Sequence, residues 1–289
     1  MSKLLLKCAE FAARILPAPV KQAIYRSKPL ARLIRRELNR AAPSGMSEVR
    51  VAAGGLAGFT LLLDMHNEKD YWLGTYEPDL QSLLGELIHP GVVIYDVGAN
   101  IGYVSLLLAK ATGEQGRVYA FEALPANVER LRHNLEMNSI GSRVTVVPAA
   151  VTQAAGPLTF LVHASGGMGK VQGSAGRDDR YQAQVTVSGI SLDKFVYAQG
   201  NPPPQVVKMD IEGGEVLALP GMRRLLAEVH PLMLMELHGP QSSRVAWETL
   251  TAAGYRISWM RSGLPLVPSL EAMGWKAYIV ARHISGTQG

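Results

Sequence analysis

Apolar residues occur in short continuous runs between residues 89 and 283, and segments of helical spacing separate most of these runs. Strands that are apolar on both faces are typical of a parallel sheet covered by helices on both sides. The pattern predicts an α/β, doubly wound, mostly parallel sheet, and the last two runs add an antiparallel pair with an antiparallel edge strand. The runs are VVIYDVG, RVYAFEA, RVTVVPAAV, QVVKMDI, PLMLMELH, YRISWM and WKAYIVARH.

The first 88 residues follow different patterns. Leu4, Cys8, Phe11 and Ile15 recur at the spacing of one helix face, and a second, basic helix is expected over roughly 21–40. A strand hairpin is expected within 47–65, and a helix within 77–87. We therefore expect a basic helical appendage over 1–45 and one large domain over 46–289. In that domain, 46–88 form a hairpin and a helix, and 89–289 form a Rossmann-like core.

Charge is unevenly distributed along the chain. Residues 1–50 hold eleven Lys and Arg against three Asp and Glu, whereas the remaining residues hold 18 basic against 21 acidic side chains. The basicity therefore belongs to the appendage, and the overall charge does not indicate nucleic-acid binding. We expect the appendage to pack on the core, to mediate a homo-oligomer, or to contact an anionic membrane surface through residues 1–40.

Composition limits the class of protein further. The chain has one cysteine, Cys8, so it cannot form an internal disulfide. The N-terminal apolar run is interrupted at Lys7 and Glu10, and no other run is long enough to span a bilayer. These features predict a cytoplasmic protein, with contact to the inner face of a membrane as the alternative.

An insertion follows the third run of the predicted sheet, at residues 157–190. It contains SGGMGKVQGSAGRDDR, which is rich in glycine and charge. The composition favours a floppy surface loop slightly, and a substrate lid that orders on binding is the alternative.

The turn after the first run, within 95–110, bears on the ligand. A dinucleotide-binding turn needs three glycines, but here only Gly98 matches, and Asn100 and Tyr103 occupy the other two places. An asparagine still allows a tight left-handed turn, although its side chain takes the space of a pyrophosphate. Together with Asp96, this turn suits a smaller cationic ligand that carries an amino-acid portion, such as S-adenosylmethionine.

A second carboxylate supports a nucleoside ligand. Glu122 ends the next run, 24 positions after Gly98, where it can accept hydrogen bonds from two ribose hydroxyls and repel a 2′-phosphate. This placement disfavours NADP but not NAD, so an NAD-dependent oxidoreductase remains an alternative.

Four motifs follow one another along the chain: VVIYDVGANIGYVSLLLAK, VYAFEALPANVERLRHNLEMN, VVKMDIEGGEVLALPGM and LMLMELHG. In this order they resemble those of the FkbM-family methyltransferases, a branch of the class I enzymes that depend on S-adenosylmethionine. The resemblance covers about residues 72–240 and implies a seven-stranded methyltransferase sheet, S-adenosyl-L-methionine as cofactor, and methyl transfer to oxygen. It also implies small-molecule hydroxyl acceptors, such as those of sugars, glycolipids or natural products.

The resemblance also implies roles for single residues. It places Glu122 at the ribose and Asp210 beside the transferring methyl group, with Glu212 and Gly213 completing that motif. Glu77 matches an acidic position before the core. The predicted cofactor residues are Glu77, Asp96, Gly98, Asn100, Gly102, Glu122, Ala149, Ala150 and Asp210, of which Ala149 and Ala150 replace the usual acid near adenine.

Transfer to an alcohol requires a base within hydrogen-bond reach. His238, Glu236 and Asp210 end neighbouring predicted strands, and His238 is the first choice because an unperturbed histidine titrates nearest to neutral pH. The alternative is a histidine that caps the following turn, and Glu236 is then an orienting group. We predict no metal, although hard oxygen ligands in this cluster would also suit a divalent ion that orients a diol.

A third hypothesis is a non-catalytic membrane-surface protein built on a methyltransferase scaffold. It predicts binding to anionic vesicles without cofactor. The NPPP segment at 201–204 precedes a strand instead of following one, so it does not indicate a grip on a flipped base, and we expect no nucleic-acid partner.

Overall fold

The computed structural model describes residues 2–16, 20, 24, 27–164, 167–177 and 181–286. The chain divides into two compact units. The smaller one comprises Met1–Gln81 and Glu136–Asn138, and the larger one comprises Ser82–Leu135 and Ser139–Gly289.

The elements of the N-terminal part begin with two helices and a hairpin. In chain order they are α1 (Ser2–Ile15), α2 (Lys28–Ala41), β1 (Met46–Arg50), β2 (Thr60–Asp64), α3 (Lys69–Leu73) and α4 (Pro78–Leu87). Strands β1 and β2 pair antiparallel, as the sequence predicts. Asn138 extends this hairpin, because its side chain accepts from the Thr60 amide and donates to the Thr60 carbonyl. Part of the predicted second basic helix, at residues 21–23 and 25–26, lies outside the described residues.

The remaining elements alternate between strands and helices. In chain order they are β3 (Val93–Val97), α5 (Tyr103–Thr112), β4 (Arg117–Phe121), α6 (Pro125–Glu136), β5 (Val144–Val147), β6 (Ala150–Val151), β7 (Gly156–His163), β8 (Gly169–Val171), β9 (Tyr181–Ile190), β10 (Val206–Met209), α7 (Glu215–Ala218), α8 (Arg223–Glu228), β11 (Leu232–His238), α9 (Pro240–Ala252), β12 (Tyr255–Trp259) and β13 (Lys276–His283).

Seven of these strands form the central sheet, in the order β12-β13-β11-β10-β3-β4-β5. The strands from β11 to β5 run parallel, and β13 runs antiparallel to both β11 and β12. The predicted doubly wound sheet with an antiparallel pair at its edge is confirmed, and β13 lies one place inside the edge strand. The order reverses between β3 and β10, which is where sheets of this type bind ligands.

An aromatic cluster lies beneath this switch point. The rings of Tyr95, Phe121 and Phe195 pack with centroids 5.0 to 5.5 Å apart, and all three side chains are buried. Edge-to-face packing of this kind stabilises a core beyond the burial of its area. The strand ends that carry the polar residues are therefore supported by closely packed aromatic side chains.

The insertion is not a floppy loop in its described part. Strands β6, β9, β7 and β8 form a second sheet, and the pairing of β7 with β9 runs from Gly156 to His163. Phe160, Val171 and Val187 are buried in a small core of their own. Alternating apolar side chains in β7 and β9 supply that core, and glycine-rich composition between them concealed this from the sequence analysis. Residues 165–166 and 178–180 of the insertion lie outside the described residues.

No helix in the described ranges combines the length and the apolar character that crossing a membrane requires.

Candidate active site

The turn after β3 is tight because three of its residues adopt the left-handed conformation. Gly98, Asn100 and Gly102 have φ angles of 86°, 50° and 90°. The amides of Gly98 and Ala99 both donate to the Phe121 carbonyl, at 3.0 and 2.9 Å. Asn100 is thus the non-glycine residue that tolerates the bend, as the sequence indicates.

The two glycines of this turn are also required by packing. A β-carbon on Gly98 would overlap the main-chain oxygen of Asp210, and one on Gly102 would overlap the Leu131 side chain. The first contact joins the turn to the residue after β10, and the second joins it to α6. Sequence reasoning assigned these glycines to ligand binding and missed both contacts, because each partner is distant in the chain.

Asp96 is fully buried at the end of β3. Its Oδ2 accepts a hydrogen bond of 2.6 Å from Ser105, while Oδ1 has no hydrogen-bond partner among the described residues and lies 4.0 Å from the Lys208 ammonium. Burial raises the pKa of Asp96, against the opposing effects of Lys208 and Ser105. An orphaned, buried acceptor beside a left-handed turn fits the ammonium group of a methionyl moiety.

Glu122 holds the turn in place. Its Oε2 accepts from the Asn100 amide and its Oε1 from the Leu124 amide, both at 2.8 Å, and Asn127 approaches at 3.5 Å. Burial raises the pKa of Glu122, although these hydrogen bonds act against the rise. Oε2 accepts one hydrogen bond and keeps a lone pair for a ribose hydroxyl, whereas Oε1 already accepts from two donors. The carboxylate therefore has a structural role that the sequence did not reveal, beside the predicted ligand role.

The other predicted cofactor residues are placed differently. Ala149 and Ala150 are buried just after β5, the neighbour of β4, and Ala150 pairs with Gly189 of the insertion sheet. Glu77 belongs to the smaller unit and has a φ of 44°. The structure brings Asp96, Asn100 and Glu122 together, whereas the role of Glu77 stays a prediction.

A second polar cluster surrounds His238 at the end of β11. The His238 Nε2 atom lies 2.9 Å from Glu236 and 3.6 Å from Glu212. Its Nδ1 atom lies 3.9 Å from both Asp210 and Glu215, too far for a hydrogen bond. The predicted trio of Asp210, Glu236 and His238 is thus brought together, and Glu212 and Glu215 join it.

The protonation state of His238 differs from the sequence expectation. Burial by itself would lower the pKa of His238, but the carboxylates of Glu215 and Glu236, with the charges of Asp210 and Glu212, raise it to about 10. This pKa favours a protonated imidazole at neutral pH, because Glu236 of the same strand and three carboxylates of the segment 210–215 meet around the ring. The role of His238 as proton acceptor stays a prediction.

Two lysines complete the cluster. Lys208 lies on β10, 3.7 Å from Asp210, and Lys276 forms an ion pair with Glu236. Burial would raise the pKa of Glu236, but the His238 and Lys276 contacts lower it below its usual range. Glu236 is therefore an ionised, buried anchor, which agrees with the alternative that it orients His238.

The ligand atoms of Asp210, Glu236 and His238 lie within 4.8 Å of one another, so their geometry would also admit a divalent ion. Glu236 already binds His238 and Lys276, so an ion would have to replace those contacts. Hard ions prefer oxygen ligands that are free to coordinate.

Relatives of this chain are methyltransferases. The chain is 30% identical over 166 residues to the hexuronic acid methyltransferase AglP of Haloferax volcanii, which covers 56% of this chain and 62% of AglP. It is 27% identical over 184 residues to the methyltransferase sdnD of Sordaria araneosa, covering 54% of this chain and 70% of sdnD. The chain thus spans under two thirds of AglP.

Among solved structures, a methyltransferase FkbM from Methylobacillus flagellatus superposes with a TM-score of 0.44 at 19% identity, covering 76% of this chain and 53% of that one. The model of the methyltransferase FkbM domain matches residues 96–257, which include the turn after β3, Glu122 and the His238 cluster. This chain belongs to the FkbM methyltransferase family, which is dependent on S-adenosylmethionine.

Proposed function

We propose that this protein transfers a methyl group from S-adenosylmethionine to a hydroxyl oxygen of a small molecule, such as a sugar, a glycolipid or a natural product. One observation carries the proposal. The main chain of Asp210 touches Gly98 in the cofactor turn, while its side chain lies 3.9 Å from His238. A cofactor site and a cluster suited to proton transfer therefore meet at one residue.

Different residues bind different parts of the cofactor. Asp96 and the turn from Gly98 to Gly102 hold the methionyl part, Glu122 holds the ribose, and the Ala149–Ala150 segment borders the adenine. The cofactor supplies a methyl group on a positively charged sulfonium. Most of the rate enhancement then comes from aligning the acceptor oxygen with that methyl group, since the charges decrease during transfer.

The acceptor's proton goes to a carboxylate. Because His238 is protonated, we assign Asp210 as the group that takes the hydroxyl proton, and His238 as the cation that positions Asp210 and Glu212. Asp210 is one of the better exposed carboxylates of the cluster, with 14% of its side chain accessible, against 6% for Glu236 and 0% for Glu215. General-base assistance of this kind contributes about 10²–10⁴ in rate.

The relatives support a small-molecule acceptor. AglP is named for a hexuronic acid, which is a sugar, and sdnD is a fungal methyltransferase. Family membership speaks against the NAD-dependent oxidoreductase alternative. A non-catalytic membrane-surface protein on a methyltransferase scaffold would show the same domain, and a labelled product distinguishes it from the transferase.

The experiment uses labelled cofactor and cell extract, with mass spectrometry of the methylated product. We expect a product with an O-methyl group, and we expect Asp210→Asn to lower turnover by about 10²-fold or more while S-adenosylhomocysteine binds within about threefold. Glu114→Gln is the matched control, because that side chain is 86% exposed and far along the chain from the cluster. A labelled product methylated on carbon or nitrogen would contradict the proposal.

We also propose peripheral contact with an anionic membrane through residues 1–40, while the homo-oligomer stays a prediction. Phe11 and Ile15 of α1 are 66% and 59% exposed, and Leu33 of α2 is 55% exposed. Arg32 and Arg36 of α2 are exposed as well. Apolar side chains flanked by cations are the combination that binds anionic lipid surfaces.

A further inference from the structure

An exposed tryptophan lies next to the His238 cluster. Trp275 is 48% exposed, and its main-chain oxygen accepts a 2.6 Å hydrogen bond from the amide of Gly239, the residue after His238. A β-carbon on Gly239 would lie 3.4 Å from the indole ring. The ring therefore stands beside the chain segment that carries His238, with much of its surface open to solvent.

The loop that follows β8 in the insertion also approaches Gly239. A β-carbon on Gly239 would lie 3.7 Å from the Gly176 amide nitrogen, and one on Gly176 would lie 2.8 Å from the main-chain oxygen of Glu212. Gly176 therefore lies between Glu212 and Gly239, and Gly239 in turn lies beside Trp275. The Glu212 side chain is 38% exposed, more than any other carboxylate of the cluster.

The loop around Gly176 is held in a defined position. The buried Lys170 ammonium donates to the carbonyls of Ser174, Ala175 and Arg177, at 3.5, 3.2 and 2.6 Å. The Ala175 amide donates to the Gly213 carbonyl at 2.9 Å. These hydrogen bonds fix the Gly176 loop beside Gly239, so the loop forms one defined wall of this place.

We propose that Trp275 and Glu212 form the subsite for an uncharged pyranose ring of the acceptor, a proposal that rests on the proposed function. The C–H face of a pyranose stacks on an indole ring, and its hydroxyls donate to carboxylates. His238 fixes the position of the carboxylate in this pair, because its Nε2 atom lies 3.6 Å from the Glu212 side chain.

The net charge of the His238 cluster favours an uncharged sugar over a charged one. Among the described residues, four carboxylates face three cations, so the cluster keeps an excess of negative charge when His238 is protonated. An acceptor that carries its own carboxylate adds a further like charge, which nearby carboxylates repel. The subsite therefore selects a neutral hexose over a hexuronic acid. The carboxylates are those of Asp210, Glu212, Glu215 and Glu236, and the cations are Lys208, His238 and Lys276.

The test measures binding by saturation-transfer NMR and calorimetry, on the full chain with S-adenosylhomocysteine. The probes are the methyl glycosides of glucose, galactose and mannose, each paired with its uronic acid. We expect at least one neutral glycoside to bind about tenfold or more tightly than its uronide. Trp275→Ala should weaken that binding about tenfold, and Trp275→Phe, which keeps an aromatic face, should stay within about threefold. Leu266→Ala, at a 56% exposed position of the same unit, is the control and should change nothing.

Three results would overturn the subsite: no glycoside binds, a uronide binds as tightly as its neutral partner, or Trp275→Ala leaves binding unchanged. Failure of the proposed function is separate. If label reaches a hydroxyl of a non-sugar molecule and no glycoside binds, the subsite is wrong and the transfer reaction stands. If a neutral glycoside binds through Trp275 and no hydroxyl is ever labelled, the subsite stands and the transfer reaction is wrong.

Discussion

Gly98 and Asp210 touch through their main chains, although they are more than a hundred residues apart in the chain. The contact is so close that the space of a β-carbon on Gly98 is already filled by the Asp210 oxygen. Parallel pairing of β3 with β10 brings the two together, since Val97 and Met209 are partners in that register. The cofactor turn and the proposed proton acceptor are therefore positioned by the same two strands.

This contact predicts a large effect of Gly98→Ala on stability. A side chain there combines a positive φ with overlap against a backbone oxygen, so we expect a loss of about 3–5 kcal/mol in the free energy of unfolding. Gly200→Ala is the matched control, because Gly200 also has a positive φ, 71°, but has no atom within 4 Å of its β-carbon position. It should cost only about 1–2 kcal/mol. Thermal unfolding checks both variants, and equal losses would refute the contact argument.

Glu122→Ala should abolish cofactor-dependent stabilisation. In the wild type, S-adenosylhomocysteine at a hundred times its Kd adds about 2.7 kcal/mol, a rise of roughly 5–10 °C in Tm. The variant loses the ribose acceptor and the hydrogen bond that holds the Asn100 amide. Thermal shift with and without ligand measures the difference. Glu129→Gln, on the exposed side of α6, should keep the full shift. An unchanged shift in Glu122→Ala would remove the ribose assignment.

His238 should make stability depend on pH above neutrality. Its folded pKa of about 10 exceeds the usual 6.5, so its contribution is complete below pH 6.5 and is lost as pH rises towards 10. We expect the unfolding free energy to fall by about 2–4 kcal/mol over this range relative to His238→Gln. Denaturant titrations at several pH values measure this.

A second histidine serves as the control for this pH dependence of stability. His89→Gln changes a histidine that is exposed after α4 and should leave the slope unchanged. A wild-type protein whose stability relative to His238→Gln stays constant between pH 6.5 and 10 would show that His238 keeps its ordinary pKa in the folded state, and would return it to the position of proton acceptor.

The N-terminal helices should bind anionic vesicles. We expect the protein to sediment with vesicles of phosphatidylcholine and phosphatidylglycerol and not with phosphatidylcholine alone, since each basic residue near an anionic surface contributes about 1 kcal/mol. Replacing Phe11 and Ile15 by glutamate should lower the bound fraction about tenfold or more. Met46→Glu, at a 52% exposed apolar position of β1, is the control. Equal binding to both vesicle types would contradict an electrostatic arm.

The sequence predicted well whatever depends on local pattern. Continuous apolar runs indicated the strands, so the doubly wound sheet and the antiparallel pair at its edge followed. The turn from Gly98 to Gly102 was predicted for the same reason, since left-handed residues within five positions are a local signal. The insertion was predicted poorly, because its β7 and β9 partners are separated by glycine-rich chain whose composition resembles a loop.

Contacts between distant segments decided the rest. A sequence shows that His238 ends a strand and that Glu236 lies two positions before it. The pKa of His238 depends also on Glu215, at the start of α7, and on the two carboxylates that follow β10, Asp210 and Glu212. Likewise, Trp275 precedes β13 and meets Gly239 only because β13 pairs antiparallel with β11. The sequence therefore determined which side chains end each strand and where the tight turn lies. The charge state of His238 and the shape of the acceptor site depend on distances between residues on different strands. Strand pairing sets these distances, and the spacing of residues along the chain does not predict them.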